Sequence, residues 1–149
     1  MSEEIYPVPE AFAAQANITQ DEYQKMYRQS LDDPDTFWSE QAEKYLTWSK
    51  KWDKVQDWSF DKSDLGIKWF LGGELNVSYN CLDKHLETRG DQTAIIWEGD
   101  DPTRDLKITY AELHQRVCKF ANALKAIGAK RGDRITIYMP MIPEAAISM

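Results

Sequence analysis

The sequence is short of the residues that would make several functions easy to assign. It has two cysteines, Cys81 and Cys118, with no CxxC spacing, which excludes a zinc ribbon or a disulfide framework. The bland expectation is two reduced, packed thiols. It has two histidines, His85 and His114, so no histidine-rich ligand set is available. Its seven glycines form neither G-x-x-x-x-G-K-[ST] nor G-x-G-x-x-G, which leaves no phosphate-loop signature. Basic charge is scarce: 18 Lys and Arg against 25 Asp and Glu give a net charge of −7. That balance opposes non-specific binding to nucleic acid or anionic membrane, both of which need a basic face. No apolar run approaches the roughly 20 residues of a membrane span, and mean hydropathy is −0.62. The start, MSEEIYPVPE, lacks the basic and apolar regions of a secretory signal. Together these absences predict a cytoplasmic globular chain without nucleic-acid or membrane partners.

What is present is concentrated in the last third. Tyr110, Leu113, Val117, Phe120, Ala121, Leu124 and Ile127 recur at helical spacing and predict one buried stripe. Thr109 with Glu112 makes a capping box, and Ile108 with Leu113 a hydrophobic staple. Gly128 suits the left-handed residue that ends a helix. Gly132-Asp133 then predicts a turn into a β-branched strand, Arg134 to Met139. Pro140 ends that strand, and Pro143 fits the first turn of another helix. A strand, a helix and a second strand between residues 108 and 135 imply a right-handed crossover and a parallel pair.

Upstream, residues 1 to 17 read as an extended tail. Thr19 with Glu22 caps a helix, and Asp33 with Pro34 begins the next. Trp38, Ala42, Tyr45, Trp48 and Trp52 follow a helical period and predict an aromatic stripe for docking onto a larger body. Trp58 to Leu65 reads as irregular. Gly72-Gly73, between Ile67–Leu71 and Glu74–Asn76, is a hairpin signal. Ser78 is the expected cap of a helix closed by Gly90. Thr93–Glu98 reads as a strand, and residues 99 to 102 as a turn. The expected fold class is therefore α/β. A Trp-rich helical arm, residues 1–65, precedes the first elements of an incomplete sheet, residues 66–149.

Few constellations carry chemistry. Cys81 with His85, and His114 with Cys118, are i, i+4 pairs on two predicted helices, and zinc takes four such ligands. Structural zinc sites usually draw their cysteines from turns, so no metal site is expected. The acid pairs Asp32-Asp33 and Asp100-Asp101 sit where caps and turns favour Asp. Lys125, Lys130, Arg131 and Arg134 read as a solvated turn that complements a helix C-terminus.

Three stretches carry a resemblance. GAKRGDRITIYMPMIPEAA, residues 128 to 146, is similar to the start of the large domain of acyl-adenylating enzymes, and ITYAEL to their first core motif. WFLGGELNVSYNCLDKHL (69 to 86) and TAIIWEGDDP (93 to 102) narrow this to the N-terminal quarter of the AMP-forming acetyl-CoA synthetase group. The resemblance implies a parent ligase using ATP, Mg and CoA with acetate. It also implies that the phosphate loop, the metal-holding carboxylate, the catalytic lysine and the CoA-binding arginines lie beyond Met149. No catalytic, cofactor-binding or metal-binding residue is therefore assigned, and the chain alone is expected to be an inactive, self-associating scaffold. One alternative is the same region of a propionyl-CoA synthetase. Another is a complete non-enzymatic binding domain that uses its aromatic stripe. The final Ile147-Ser148-Met149, ending inside an apolar helix, favours the scaffold.

Overall fold

The computed structural model describes residues 6–101 and 103–149. Pro102 of the expected turn and the first five residues of the expected tail lie outside them. Two compact units divide at Leu75 and Asn76.

The first unit holds helices α1 (Glu10–Ala13), α2 (Gln20–Asp32) and α3 (Pro34–Tyr45), then strands β1 (Lys54–Ser59) and β2 (Gly66–Leu71). The part of the tail expected to be extended thus contains a helical turn, α1. Helix α2 starts as its sequence dictates: the Thr19 amide donates to Glu22 at 2.8 Å, and the Glu22 amide donates back to Thr19 Oγ1 at 3.3 Å. The Thr19 amide, and then its hydroxyl, hold the Glu22 carboxyl below the usual carboxylate range. A carboxyl lowered by folding stabilises above its ordinary value, and that contribution is lost as pH falls through the lowered one. The first turn of α2 is therefore expected to loosen in acid only after Glu22 protonates. Amide exchange at Thr19, followed against the Glu22 carboxyl titration, checks this. Exchange that rises before Glu22 titrates would contradict it.

Asp33 separates α2 from α3, accepting from the Thr36 amide at 3.2 Å, with Pro34 at the first helical position. Helix α3 ends at Tyr45, where Leu46 turns extended. Trp48 and Trp52 therefore leave the expected helical stripe. Trp48 folds back so that its indole N–H donates to the Ala42 carbonyl at 3.1 Å, which also accepts the Leu46 amide at the end of α3. Its ring meets Trp52 at 4.9 Å and Phe70 at 5.4 Å, and Trp52 meets Phe70 at 4.9 Å. Trp38, on α3, reaches Trp69 at 6.1 Å. The aromatic residues thus pack on strand β2, and tertiary ring packing overrides the helical period.

Strands β1 and β2 pair antiparallel from Lys54 opposite Leu71 to Ser59 opposite Gly66. Residues 58 and 59, expected to be irregular, belong to β1. The hairpin expected at Gly72-Gly73 is replaced: Ile67–Leu71 is a strand, but its partner lies upstream. Glu74 contributes only an isolated bridge to Lys50. Gly72 is required here, with φ +76° and a methyl at its Cβ position colliding with the Asp53 carboxylate. Gly72→Ala is expected to cost about 1–2 kcal/mol for the left-handed conformation, since the exposed Asp53 carboxylate can swing clear of the added methyl. A denaturant melt unchanged from the parent chain would contradict it.

The second unit holds α4 (Val77–Cys81), a one-turn 3₁₀ segment (Asp83–His85), α5 (Leu86–Arg89), β3 (Thr93–Glu98), β4 (Asp105–Thr109), α6 (Tyr110–Ala126) and α7 (Pro143–Ile147). Asn76, not Ser78, caps α4, its side chain accepting from the Tyr79 amide at 3.0 Å. Strands β3 and β4 are antiparallel, with Glu98 opposite Asp105 and Ile95 opposite Ile108. The Thr109–Glu112 capping box starts α6 as expected. The core is Leu82, Ile108 and Leu113, with Ile95, Leu106 and Val117 packed around it. Ile108 is 0% exposed. The stripe on α6 is mostly half-buried rather than buried, and Ile127 is 81% exposed. Gly128 has the expected positive φ, +92°.

Residues 134–139, expected as a strand, form no ladder, so the expected parallel pair is absent among the described residues. β-Branched composition favours a pleated surface only where a neighbouring strand supplies the hydrogen bonds. Among the described residues, β3 and β4 pair with each other alone. The fold class remains mixed helix and strand: a helical arm followed by short, incomplete sheets.

Candidate functional site

Two of the four residues read as possible zinc ligands come together, with a third that the sequence did not single out. Helix α6 places His114 and Cys118 one turn apart on one face. Cys118 Sγ lies 3.5 Å from His114 Nε2 and 4.0 Å from Nδ1. Asp83, from the 3₁₀ segment, brings Oδ1 within 3.2 Å of His114 Nε2. His85 instead sets its ring 5.7 Å from that of Tyr110. Both cysteines are exposed, which corrects the expectation of packed thiols. They lie near the ends and outer faces of helices, where the core does not reach. Among the described residues, no group of three or more His, Cys, Asp or Glu could hold a metal ion. Asp83 escaped the sequence reading because its role depends on α6 packing beside it. The only local signal was an acid between Cys81 and His85.

The other candidates resolve into backbone chemistry. Asp33 caps α3. Asp101 accepts from the Thr103 hydroxyl at 2.7 Å and amide at 2.9 Å, and these bonds, the hydroxyl's first, hold its carboxyl below the usual range. In the basic cluster the Lys130 amide donates to Asp133 at 2.7 Å, tying the turn after α6. The positive-φ glycines 128 and 132 sit in open turns, and Gly72 faces the Asp53 carboxylate. None of these cradles an anion. No chemical step is assigned to these residues.

Relatives supply what the geometry does not. Residues 23–81 match the family model for the acetyl-coenzyme A synthetase N-terminus. Residues 82–149 match the AMP-binding enzyme model, so the two run without a gap to the last residue. The acetyl-coenzyme A synthetase of Alkalilimnicola ehrlichii is 61% identical over 145 residues, covering 97% of this chain and 22% of the relative. That of Halorhodospira halophila is 57% identical over 150 residues, covering 100% of this chain and 23% of the relative. A solved structure, acetoacetyl-CoA synthetase from Streptomyces lividans, superposes with a TM-score of 0.74 at 30% identity, covering 93% of this chain and 21% of that one. The chain therefore belongs to the AMP-binding, adenylate-forming enzymes. Within them it corresponds to the N-terminal region of the acetyl-coenzyme A synthetases. It spans less than a quarter of the length of those curated relatives.

Proposed function

We propose that this chain is the N-terminal scaffold of an AMP-forming acetate–CoA ligase. In that reaction an acetate oxygen attacks the α-phosphate of ATP, held with Mg, and pyrophosphate leaves. The CoA thiol then displaces AMP from the acetyl-adenylate. One observation carries the reading: 61% identity to an acetyl-coenzyme A synthetase across 97% of the chain. In this reading residues 1–65 are an arm and residues 66–149 open the large domain. The working compartment is the cytoplasm. No described helix is long and apolar enough to cross a membrane, and the net charge of −7 opposes nucleic acid as a partner.

The test is acyl-CoA formation by the full reading frame containing this sequence, with acetate, propionate and acetoacetate compared. Acetate is expected to give the highest kcat/KM. A clear preference for another acid would overturn the acetate assignment and leave the ligase class standing. Propionate is the second reading: a synthetase named for another acid, acetoacetate, shares this region's fold, so the region by itself does not fix the acid.

The isolated chain is expected to self-associate. Among the described residues, strands β3 and β4 each leave one edge unpaired. Residues 135–141 add exposed apolar surface, with Tyr138 fully exposed and Met141 92% exposed. Helix α7, with five residues, is far below the roughly 12 needed to stand alone in water. Light scattering should therefore show apparent mass rising with concentration. A strict monomer with a cooperative melt of about 5–15 kcal/mol would contradict this.

A further inference from the structure

We propose that residues 48–53 are a strap with a strained latch: the rings of Trp48 and Trp52 hold the Phe70 backbone in a left-handed conformation, and release of the rings frees the strap from residues 71–74. Phe70, at φ +50°, is the one residue other than glycine with a positive φ among the described residues. It falls inside strand β2, where an extended backbone is the ordinary state. For a bulky side chain this is an outlier, and such strain persists only where the surroundings impose it. The surroundings here are aromatic. The Phe70 ring lies 5.4 Å from that of Trp48 and 4.9 Å from that of Trp52, and those two rings are 4.9 Å apart. All three residues are half-buried. Trp48 is anchored in turn by its hydrogen bond to the Ala42 carbonyl. Gly73 leaves the space that the Trp48 ring uses: a Cβ there would lie 2.8 Å from the ring and 3.0 Å from the Phe70 carbonyl.

The backbone of the strap follows the latch. The Ser49 and Lys50 amides donate to the Glu74 carbonyl at 2.9 and 3.2 Å, and the Glu74 amide donates back to the Lys50 carbonyl at 2.9 Å. The Asp53 amide donates to the Leu71 carbonyl at 2.8 Å. These bonds and the ring contacts join the same two short segments, so they form and break together. Residues 71–74 lie at the end of the first unit, which closes at Leu75. The latch thus fixes the course of the chain where it leaves that unit. Once released, Phe70 returns to an extended conformation, and relief of its strain offsets part of the lost ring packing. The two states therefore differ by less than the contacts alone supply, as a switch element requires.

The full chain is isotope-labelled, and the Phe70 backbone conformation is read by NMR from its φ-sensitive coupling and Cα shift. Hydrogen exchange is followed at the Ser49, Asp53 and Glu74 amides. The parent should show a left-handed Phe70 and slow exchange at all three. Gly73→Ala drives a methyl against the Trp48 ring, and Trp48→Leu removes one ring of the latch. Each should return Phe70 to extended values and speed exchange at the three amides by a common factor, roughly tenfold, the scale of two aromatic pairs. Phe70→Tyr keeps a ring and should keep both readouts of the parent. Circular dichroism reports whether α2 and α3 survive. If Gly73→Ala loses them, Trp48→Leu decides, and their loss in both variants would show that no separate latch exists. An extended Phe70 in the parent, a left-handed Phe70 in a folded Trp48→Leu variant, faster exchange at only one of the three amides, or a released strap in Phe70→Tyr would each overturn the proposal.

Discussion

Ile108→Ala is expected to destabilise the second unit by about 3–5 kcal/mol, at the upper end of large-to-small core substitutions. Ile108 is 0% exposed, the one large side chain fully buried among the described residues. It sits where three pieces meet: opposite Ile95 across the hairpin, directly before the α6 cap, and in contact with the Leu82–Leu113 core. Truncation removes three carbons, worth about 0.8 kcal/mol each in transfer. The cavity term follows because the hairpin and the capped start of α6 restrict collapse into the space. A typical domain has about 5–15 kcal/mol in all, so the variant should be partly unfolded at room temperature. Ile96→Ala is the control. Ile96 is 71% exposed on the same hairpin, and its change should stay within about 0.5 kcal/mol. A denaturant melt followed by far-UV circular dichroism reads both. A loss below about 1 kcal/mol at Ile108 would show that it is not the keystone of this unit.

The second large effect is an absence of chemistry. The 149-residue chain is expected to show no acetate-dependent pyrophosphate exchange and no micromolar ATP binding. Enzymes accelerate their reactions by about a million-fold or more, so even a poorly assembled site would register above blank. The expectation rests on the groups present. The described residues form no metal-holding cluster, and their left-handed glycines face open solvent or a carboxylate. The acids singled out in the sequence, Asp33 and Asp101, are spent on caps and turns. Phosphate transfer chemistry needs positioned cations and donors converging on one point, and nothing described here converges. Turnover above blank, or calorimetric binding at micromolar ATP, would refute this.

Much of the fold was legible where the governing physics is local. The Thr19–Glu22 and Thr109–Glu112 boxes, the Asp33-Pro34 start and the Gly128 stop all involve residues within four positions of each other. The Ile108–Leu113 staple was legible for the same reason, and both residues fall in the core. What failed depended on distant partners. Strand β1 reads as polar sequence and becomes a strand only because β2 pairs with it. Trp48 and Trp52 keep a helical period, yet Phe70 claims their rings. Residues 134–139 have strand composition and no neighbouring strand. The candidate site divides the same way. The His114–Cys118 pair follows from helix spacing, whereas Asp83 joins it only through packing.

That the chain is a required but non-catalytic scaffold is best tested by division of the full reading frame at Met149. The two pieces are expressed separately and together, and acetate-dependent pyrophosphate exchange is measured in each case. Neither piece alone should support exchange, and co-expression should restore it. Exchange by the 149-residue piece alone, or full exchange by the remainder without it, would contradict the scaffold role.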